Sequence, residues 1–183
     1  MRIERLGVDR APEIRGELTE VYRRAWSDTG FFPVEEELRG FSERLHRHTS
    51  NPDFRLCVKW SQDSPVGFSY GYTSVPGGWW RQMVATGLPE DVVDRWFEDC
   101  FEFAELAVVP VSQRRGIGSA LHDALLEDLP HRSSVLSTQR ANERALNFYK
   151  RRDWDVIEEN FFFPNRVYPY AILGLDLSRE RGP

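Results

Sequence analysis

The chain has 183 residues, of which 40% are hydrophobic and 29% charged, and its formal net charge is −5 at pH 7. This length suits one domain that folds without a disulfide or a metal. An acidic balance argues against general nucleic-acid binding, which needs clustered bases to neutralise phosphates. No apolar run approaches the ~20 residues of a membrane span, and the first residues resemble no targeting segment. We therefore expect a cytoplasmic protein with no membrane or nucleic-acid partner and a single domain over residues 1–183.

The first third of the chain predicts a strand, two helices separated by a break, and a hairpin of two strands. These segments are residues 2–8, 11–26, 34–48, 54–60 and 65–75. In the first helix, apolar residues recur at helical spacing, namely Ile14, Leu18, Val21 and Tyr22. The break between the two helices is "SDTGFFP", whose glycine and proline interrupt the helical pattern.

The middle and end of the chain predict a helical insertion and then an alternation of strands and helices. Apolar residues at loose helical intervals place the insertion over about residues 77–100. The strand, helix, strand, helix, strand and strand that follow are residues 101–110, 116–129, 133–138, 142–152, 154–163 and 168–177. Because the early hairpin makes the sheet mixed, a three-layer α/β or α+β domain is expected.

The segment "SQRRGIGSAL", residues 112–121, lies between a predicted strand and a predicted helix. The first turn of a helix has unpaired N–H groups and a partial positive charge, which together hold a phosphate. Glycines at 116 and 118 leave the backbone accessible, and Arg114 and Arg115 add positive charge. The pattern therefore predicts a phosphate or pyrophosphate cradle, with an ordinary strand-to-helix turn as the alternative.

The spacing of the glycines separates three kinds of phosphate loop. A Walker loop needs a lysine that is absent here, and a dinucleotide loop needs a third glycine where residue 121 is leucine. The remaining pattern is Q-x-x-G-x-G, formed by Gln113, Gly116 and Gly118, directly after a strand that ends in proline.

Two segments resemble motifs of the GNAT superfamily of N-acyltransferases. "ELAVVPVSQRRGIGSALHDALL" resembles its cofactor-binding motif, and "STQRANERALNFYKRRDW" resembles the motif that follows it. The similarity is close over about residues 102–155, and the element order extends it to the rest. It implies a GNAT-like fold, with a mixed, mostly antiparallel sheet of about seven strands flanked by helices and a helical insertion between strands 3 and 4.

The resemblance implies acetyl-CoA, a coenzyme A thioester, as the cofactor. The strand before the loop would pair with the pantetheine arm, and the loop would bind the pyrophosphate. The residues implied are, for the strand, Leu106, Ala107 and Val108, and for the loop, Gln113, Arg114, Arg115, Gly116, Ile117, Gly118 and Ser119.

The second motif implies two further cofactor-binding residues. Asn142 would contact the pantetheine arm, and the Tyr149 hydroxyl would face the cofactor sulfur. Asn142 would serve equally well as a helix cap, and Tyr149 as a core aromatic residue. Asp153 stands where the family commonly has glycine, but aspartate tolerates left-handed backbone, so the turn can survive.

Acetyl transfer to an amine requires a base, because an alkyl amine with a pKa near ~10 is almost wholly protonated at neutral pH. Glu105 and Glu102 lie on the strand beside the expected thioester, and strict alternation directs them to opposite faces unless a bulge intervenes. We favour Glu105, with Glu102 or a water as alternatives. A backbone N–H of residues 106–108 would stabilise the oxyanion, and Tyr149 would protonate the departing thiolate.

The acceptor is expected to be the amine of a small molecule. The resemblance implies a pocket lined by residues 27–32, by Trp79 and Trp80, and by residues near 161–170, where Asp28 would attract a cationic amine. Those aromatic residues would equally suit the core or a homodimer contact. Two alternatives remain: acetylation of a protein α-amine or lysine, and a non-catalytic acyl-CoA sensor. The four histidines show no metal-ligand spacing, so no metal is expected.

Overall fold

The computed structural model describes residues 2–26, 35–164 and 166–178. The strands in this part of the chain are β1 (Glu4–Leu6), β2 (Arg55–Ser61), β3 (Ser64–Thr73), β4 (Cys100–Val108), β5 (Ser133–Gln139), β6 (Asp155–Phe161) and β7 (Tyr170–Asp176). The helices are α1 (Arg15–Ala25), α2 (Glu35–His48), α3 (Trp79–Thr86), α4 (Glu90–Phe97), α5 (Ile117–Leu126) and α6 (Glu143–Lys150). A short 3₁₀ turn, Pro110–Ser112, joins β4 to α5.

The seven strands form one sheet in the order β1-β2-β3-β4-β5-β7-β6. β4 pairs with β5 in parallel, and the pairs β1–β2, β2–β3, β5–β7 and β6–β7 are antiparallel. Helices α3 and α4 lie between β3 and β4 in sequence, where the helical insertion was expected. The predicted fold class, a mixed and mostly antiparallel sheet with flanking helices, is confirmed.

The chain divides into two compact units. Unit 1 comprises Met1–Tyr72 and Ala104–Asp128, and unit 2 comprises Thr73–Phe103 and Leu129–Pro183. The chain passes from unit 2 into unit 1 within β4. The organisation as a single domain with an insertion stays a prediction.

The core of unit 1 forms where helical and strand periodicities bring apolar side chains together. Leu18 and Val21 of α1 and Phe41 and Leu45 of α2 are buried in one cluster with side chains of β2 and β3. Burying each such side chain contributes about 1.5–3 kcal/mol. Gly67 of β3 permits a close approach here, because a Cβ at this position would lie 3.0 Å from the Ala107 carbonyl oxygen and 3.1 Å from Leu121 Cδ1.

Unit 2 has its own apolar core around α4 and β7. Trp96 and Phe97 of α4 are buried with Val135 of β5 and Ile172 of β7. The Trp96 indole lies directly over Gly174, where an added Cβ would be 2.4 Å from Trp96 Cε3. This part of β7 therefore requires a residue without a side chain.

Candidate functional site

The loop between β4 and α5 is held by hydrogen bonds of Gln113. Its side-chain Nε2 donates to the Val108 carbonyl oxygen at 2.7 Å, and its backbone N–H donates to the Pro110 carbonyl oxygen at 3.1 Å. Two residues then take left-handed backbone, Arg114 with φ 58° and Gly116 with φ 77°. Left-handed backbone costs a residue with a Cβ about 1–2 kcal/mol, so glycine suits position 116. The turn fixes where α5 begins.

The first turn of α5 presents amide groups without helical acceptors. The first backbone bond of the helix runs from the Ala120 N–H to the Gly116 carbonyl oxygen at 3.0 Å. Within the part of the chain described, Ile117, Gly118 and Ser119 donate no backbone hydrogen bond to the preceding turn. Unpaired donors at a helix N-terminus, with the exposed Arg114 and Arg115 beside them, fit a phosphate or pyrophosphate group.

Glu105 lies in unit 1 on the same strand as residues 106–108. Its side chain is 19% exposed, and its Oε2 lies 3.9 Å from Arg44 Nη2. Burial raises the pKa of this carboxyl from 4.5 to about 7, while Arg44 and the Leu106 backbone N–H act in the opposite direction. A carboxyl that titrates near neutrality exchanges protons readily at working pH, which is what a general base requires.

Glu102 has different surroundings, in unit 2. Its carboxyl is buried and accepts a 2.6 Å hydrogen bond from the Ser74 hydroxyl. Ser74 is itself fixed, because its backbone N–H donates to the Cys100 carbonyl oxygen at 2.9 Å. Burial and this short hydrogen bond fit a structural carboxylate better than an accessible base.

Asn142 caps helix α6. Its Oδ1 accepts a hydrogen bond from the Ala145 backbone N–H at 3.1 Å. The structure therefore shows the helix-cap role that was considered as an alternative for Asn142. The capping bond uses Oδ1 and does not involve the side-chain amide nitrogen. Contact of Asn142 with a pantetheine arm stays a prediction.

Tyr149 lies near the C-terminal end of α6 in an aromatic cluster. Its ring meets Phe103, Phe148 and Trp154 edge to face, with centroids 5.2–6.0 Å apart, and only 8% of the residue is exposed. The turn that follows has Asp153 in left-handed backbone with φ 60°, so aspartate takes the conformation that glycine would supply. The role of Tyr149 as a general acid stays a prediction.

The chain matches the model of the acetyltransferase (GNAT) family over residues 12–154. It belongs to this family. Family members are acyltransferases that use acetyl-CoA. That residues 113–119 bind its pyrophosphate stays a prediction.

Individual GNAT proteins of known name or structure are also similar. The chain is 35% identical over 120 residues to the GCN5-like protein acetyltransferase Rv2170 of Mycobacterium tuberculosis, and the match covers 61% of the chain and 58% of that relative. The crystal structure of Arabidopsis thaliana NAA60 in complex with acetyl-CoA has a TM-score of 0.65 at 16% identity and covers 97% of this chain and 98% of that one. Aminoglycoside 6′-acetyltransferase type Ii has a TM-score of 0.66 at 16% identity, covering 96% and 97%.

The residues expected to form the acceptor pocket of this GNAT chain are only partly described. Residues 27–32, with Asp28, lie outside the described residues. In unit 2, Trp79 stacks on Phe163 with centroids 5.9 Å apart and is 62% exposed. Trp80 is held by a 3.0 Å hydrogen bond from its Nε1 to the Ser137 hydroxyl. Unit 2 therefore has an exposed aromatic ring, that of Trp79, stacked on a buried one, that of Phe163.

Sequence reasoning did not place Arg44, Tyr22 or Tyr70 near Glu105, and it named Tyr22 only as part of a helical spacing. Arg44 follows Phe41 by three positions on α2, and its guanidinium lies 5.7 Å from the centre of that ring. The i,i+3 spacing was a signal that Arg44 shares the apolar face, but it does not indicate which strand the helix covers.

The described residues contain no group of three or more His, Cys, Asp or Glu that could hold a metal ion. Within the same residues, no helix has the length and apolar character needed to cross a membrane. Cys57 and Cys100 are buried and unpaired, and burial raises their pKa values to about 11 and about 12. Such thiols are poor nucleophiles at neutral pH.

Proposed function

We propose that this chain is an N-acetyltransferase that transfers an acetyl group from acetyl-CoA to a primary amine of a small molecule by direct attack on the thioester. The observation that carries this proposal is Glu105. One compact unit holds a carboxyl with a pKa of about 7, the strand of residues 106–108 and the loop of residues 113–119. Glu105, the proposed base, thus lies in the same continuous segment of unit 1 as the residues proposed to bind the cofactor.

Glu105 acts as the base in this proposal. At neutral pH about a thousandth of an alkyl amine with a pKa near 10 is unprotonated, so a proton must leave the nitrogen. That first proton would pass to solvent. The Glu105 carboxylate would take a second proton as the neutral nitrogen bonds to the acetyl carbonyl carbon. The carbon–sulfur bond would break as the Tyr149 hydroxyl gives a proton to the sulfur, and the proton on Glu105 would then return through water to the Tyr149 phenolate. The net products are an amide, a thiol and one proton released to solvent.

Acetyl-CoA supplies the activated acetyl group. The backbone amides of Ile117, Gly118 and Ser119, with Arg114 and Arg115, would hold its diphosphate, because unpaired N–H donors and positive charge meet there. The backbone of residues 106–108 would orient the pantetheine arm, and Asn142 would contact the same arm. Gln113 acts through the turn that it locks.

The exposed ring of Trp79, which stacks on the buried Phe163, supports a small acceptor, since aromatic faces attract ammonium groups. A second candidate, acetylation of a protein lysine or α-amine, is favoured by a different observation. The relative that shares 35% identity with this chain is named a protein acetyltransferase. That match covers less than two thirds of either protein, so the two acceptors need a direct test.

The test is a thiol-release assay with acetyl-CoA and three acceptor sets: small primary amines, lysine peptides and peptides with a free α-amine. We expect turnover with a small amine and at least a 100-fold lower kcat in Glu105→Gln, at unchanged acetyl-CoA affinity. Glu98→Gln, an exposed carboxylate with its side chain 72% accessible, is the matched control and should match the unmodified chain. Turnover only with peptides would favour the second candidate, and binding of acetyl-CoA without any turnover would indicate a sensor.

A further inference from the structure

Glu105 faces a cluster of side chains from three other elements of unit 1. Arg44 comes from α2, Tyr22 from α1 and Tyr70 from β3. The Arg44 side chain is 37% exposed, and its Nη2 lies 3.9 Å from Glu105 Oε2. This distance exceeds that of a hydrogen bond, so the two groups attract each other as charges and the carboxylate oxygens are not occupied by the guanidinium.

The Arg44 guanidinium lies among aromatic side chains. It is 5.7 Å from the centre of the Phe41 ring, and its charge acts to lower the pKa values of the Tyr22 and Tyr70 phenols. The Tyr22 and Phe41 rings stack with centroids 4.3 Å apart and planes 8° apart. Tyr70 is fully buried, and its hydroxyl lies 3.2 Å from His48 Nδ1. The guanidinium therefore lies close to both the Phe41 ring and the Glu105 carboxyl.

We propose that Arg44 is the positioning residue of the base: its guanidinium orients the Glu105 carboxyl and stabilises the form that accepts a proton. This inference rests on the proposed function, in which Glu105 is the base. Burial alone would leave Glu105 protonated and unable to act at neutral pH. A cation within 4 Å opposes that effect without blocking the carboxylate.

The other groups near Glu105 do not change charge around neutral pH. Burial raises the pKa of Tyr22 and of Tyr70, so both phenols stay neutral. Burial and the charges of Arg44 and Arg47 lower the pKa of His48 to about 4, so its ring is neutral as well. Glu37 of α2 acts on Tyr22, whose pKa it raises. Arg44 is thus the charged group of this cluster that pairs with Glu105.

The test compares Arg44→Met, which keeps an unbranched apolar stem and removes the charge, with Arg44→Lys, which keeps the charge. Arg39→Met removes a cation from an exposed position of the same helix and is the control. The acid limb of the kcat–pH profile is measured with the amine found by the thiol-release assay. The Glu105 pKa is measured independently by carbon NMR of protein labelled at glutamate carboxyls, with the resonance assigned from Glu105→Gln.

Removing an opposite charge at this distance should raise the carboxyl pKa by about 1–3 pH units. In Arg44→Met the acid limb and the NMR titration should both move up by at least one unit, with a fivefold or greater loss of kcat at pH 7 that is recovered once the pH exceeds the shifted pKa. Acetyl-CoA affinity and the circular dichroism spectrum should be unchanged. In Arg44→Lys the acid limb and the Glu105 pKa should stay within half a pH unit of those in the unmodified protein. Arg39→Met should shift neither.

An unmoved Glu105 titration in a folded Arg44→Met variant would overturn the inference, as would a loss of kcat that is equal at every pH. Failure of the proposed function gives a different result. If Glu105→Gln retains full activity, Glu105 is not the base, whereas the NMR titration still reports the effect of Arg44 on the carboxyl.

Discussion

The surroundings of Glu105 predict a pH dependence of folding stability that can be measured without a substrate. In the unfolded chain this carboxyl titrates at its ordinary value of 4.5, and in the folded chain at about 7. Between these values the folded protein binds more protons than the unfolded one, so stability falls as the pH rises. Each pH unit of difference corresponds to 1.36 kcal/mol. Ionising Glu105 therefore costs about 3 kcal/mol in total.

His48 has the opposite effect over an overlapping range. Its pKa is 6.5 in the unfolded chain and about 4 in the folded one, because burial and nearby arginines disfavour the charged ring. The unfolded chain binds more protons between pH 4 and 6.5, so stability rises with pH there. In the unmodified protein the pH dependences of stability due to Glu105 and His48 oppose each other and largely cancel. A variant that removes one titrating group therefore reveals the effect of the other.

The experiment is urea unfolding at pH 5, 6, 7 and 8, comparing the unmodified chain with Glu105→Gln. Glutamine keeps the size of the side chain and does not titrate. The free energy of unfolding of Glu105→Gln, relative to that of the unmodified chain, should therefore rise by about 2–3 kcal/mol from pH 5 to pH 8. His48→Gln should show a change of the opposite sign, confined to pH below about 7. Parallel stability curves for the unmodified chain and Glu105→Gln would refute the assignment of a raised pKa to Glu105.

Three further predictions concern the loop, the core of unit 2 and the acid. Gly118→Val should weaken acetyl-CoA binding at least tenfold in calorimetry with a native circular dichroism spectrum; unchanged affinity would exclude the loop as the diphosphate site. Gly174→Ala should lower the free energy of unfolding by about 1–3 kcal/mol because the new Cβ meets Trp96. The control is Gly40→Ala, which has open space around it and should not lower the free energy of unfolding. Equal free energies of unfolding in the two variants would contradict the contact with Trp96. Tyr149→Phe should lower kcat at least tenfold without changing acetyl-CoA affinity, and full activity would leave Tyr149 a core residue.

Most helices and strands could be predicted because the spacing of apolar residues along the chain differs between the two. Leu18 and Val21 repeat at helical spacing and are buried in α1, and Asn142 precedes α6 as a cap should. Boundaries were less predictable. The helical pattern was expected from residue 11, but α1 begins at Arg15, because the preceding residues form turns with an N–H bond from Arg15 to the Pro12 carbonyl oxygen.

The candidate site could be predicted where it is local in sequence and not where it depends on packing. The glycines at 116 and 118 lie within one turn, and Gly116 takes the left-handed backbone that glycine permits. Arg44 and Glu105 are far apart in the chain and meet only because α2 packs in unit 1 beside β4. No spacing rule links them. The same holds for Gly174, which is needed only because Trp96 lies over it.

Alternation along β4 could separate Glu102 from Glu105 but could not choose between them, since the choice depends on what each carboxyl meets after folding. Glu102 is buried against the Ser74 hydroxyl, while Glu105 is partly exposed near a cation. A fully solvated glutamate near 4.5 is a weak base, and a buried one without a partner remains protonated. Partial burial opposed by Arg44 brings the Glu105 pKa between these limits, to about 7, where a carboxylate is both present and basic enough to assist an amine.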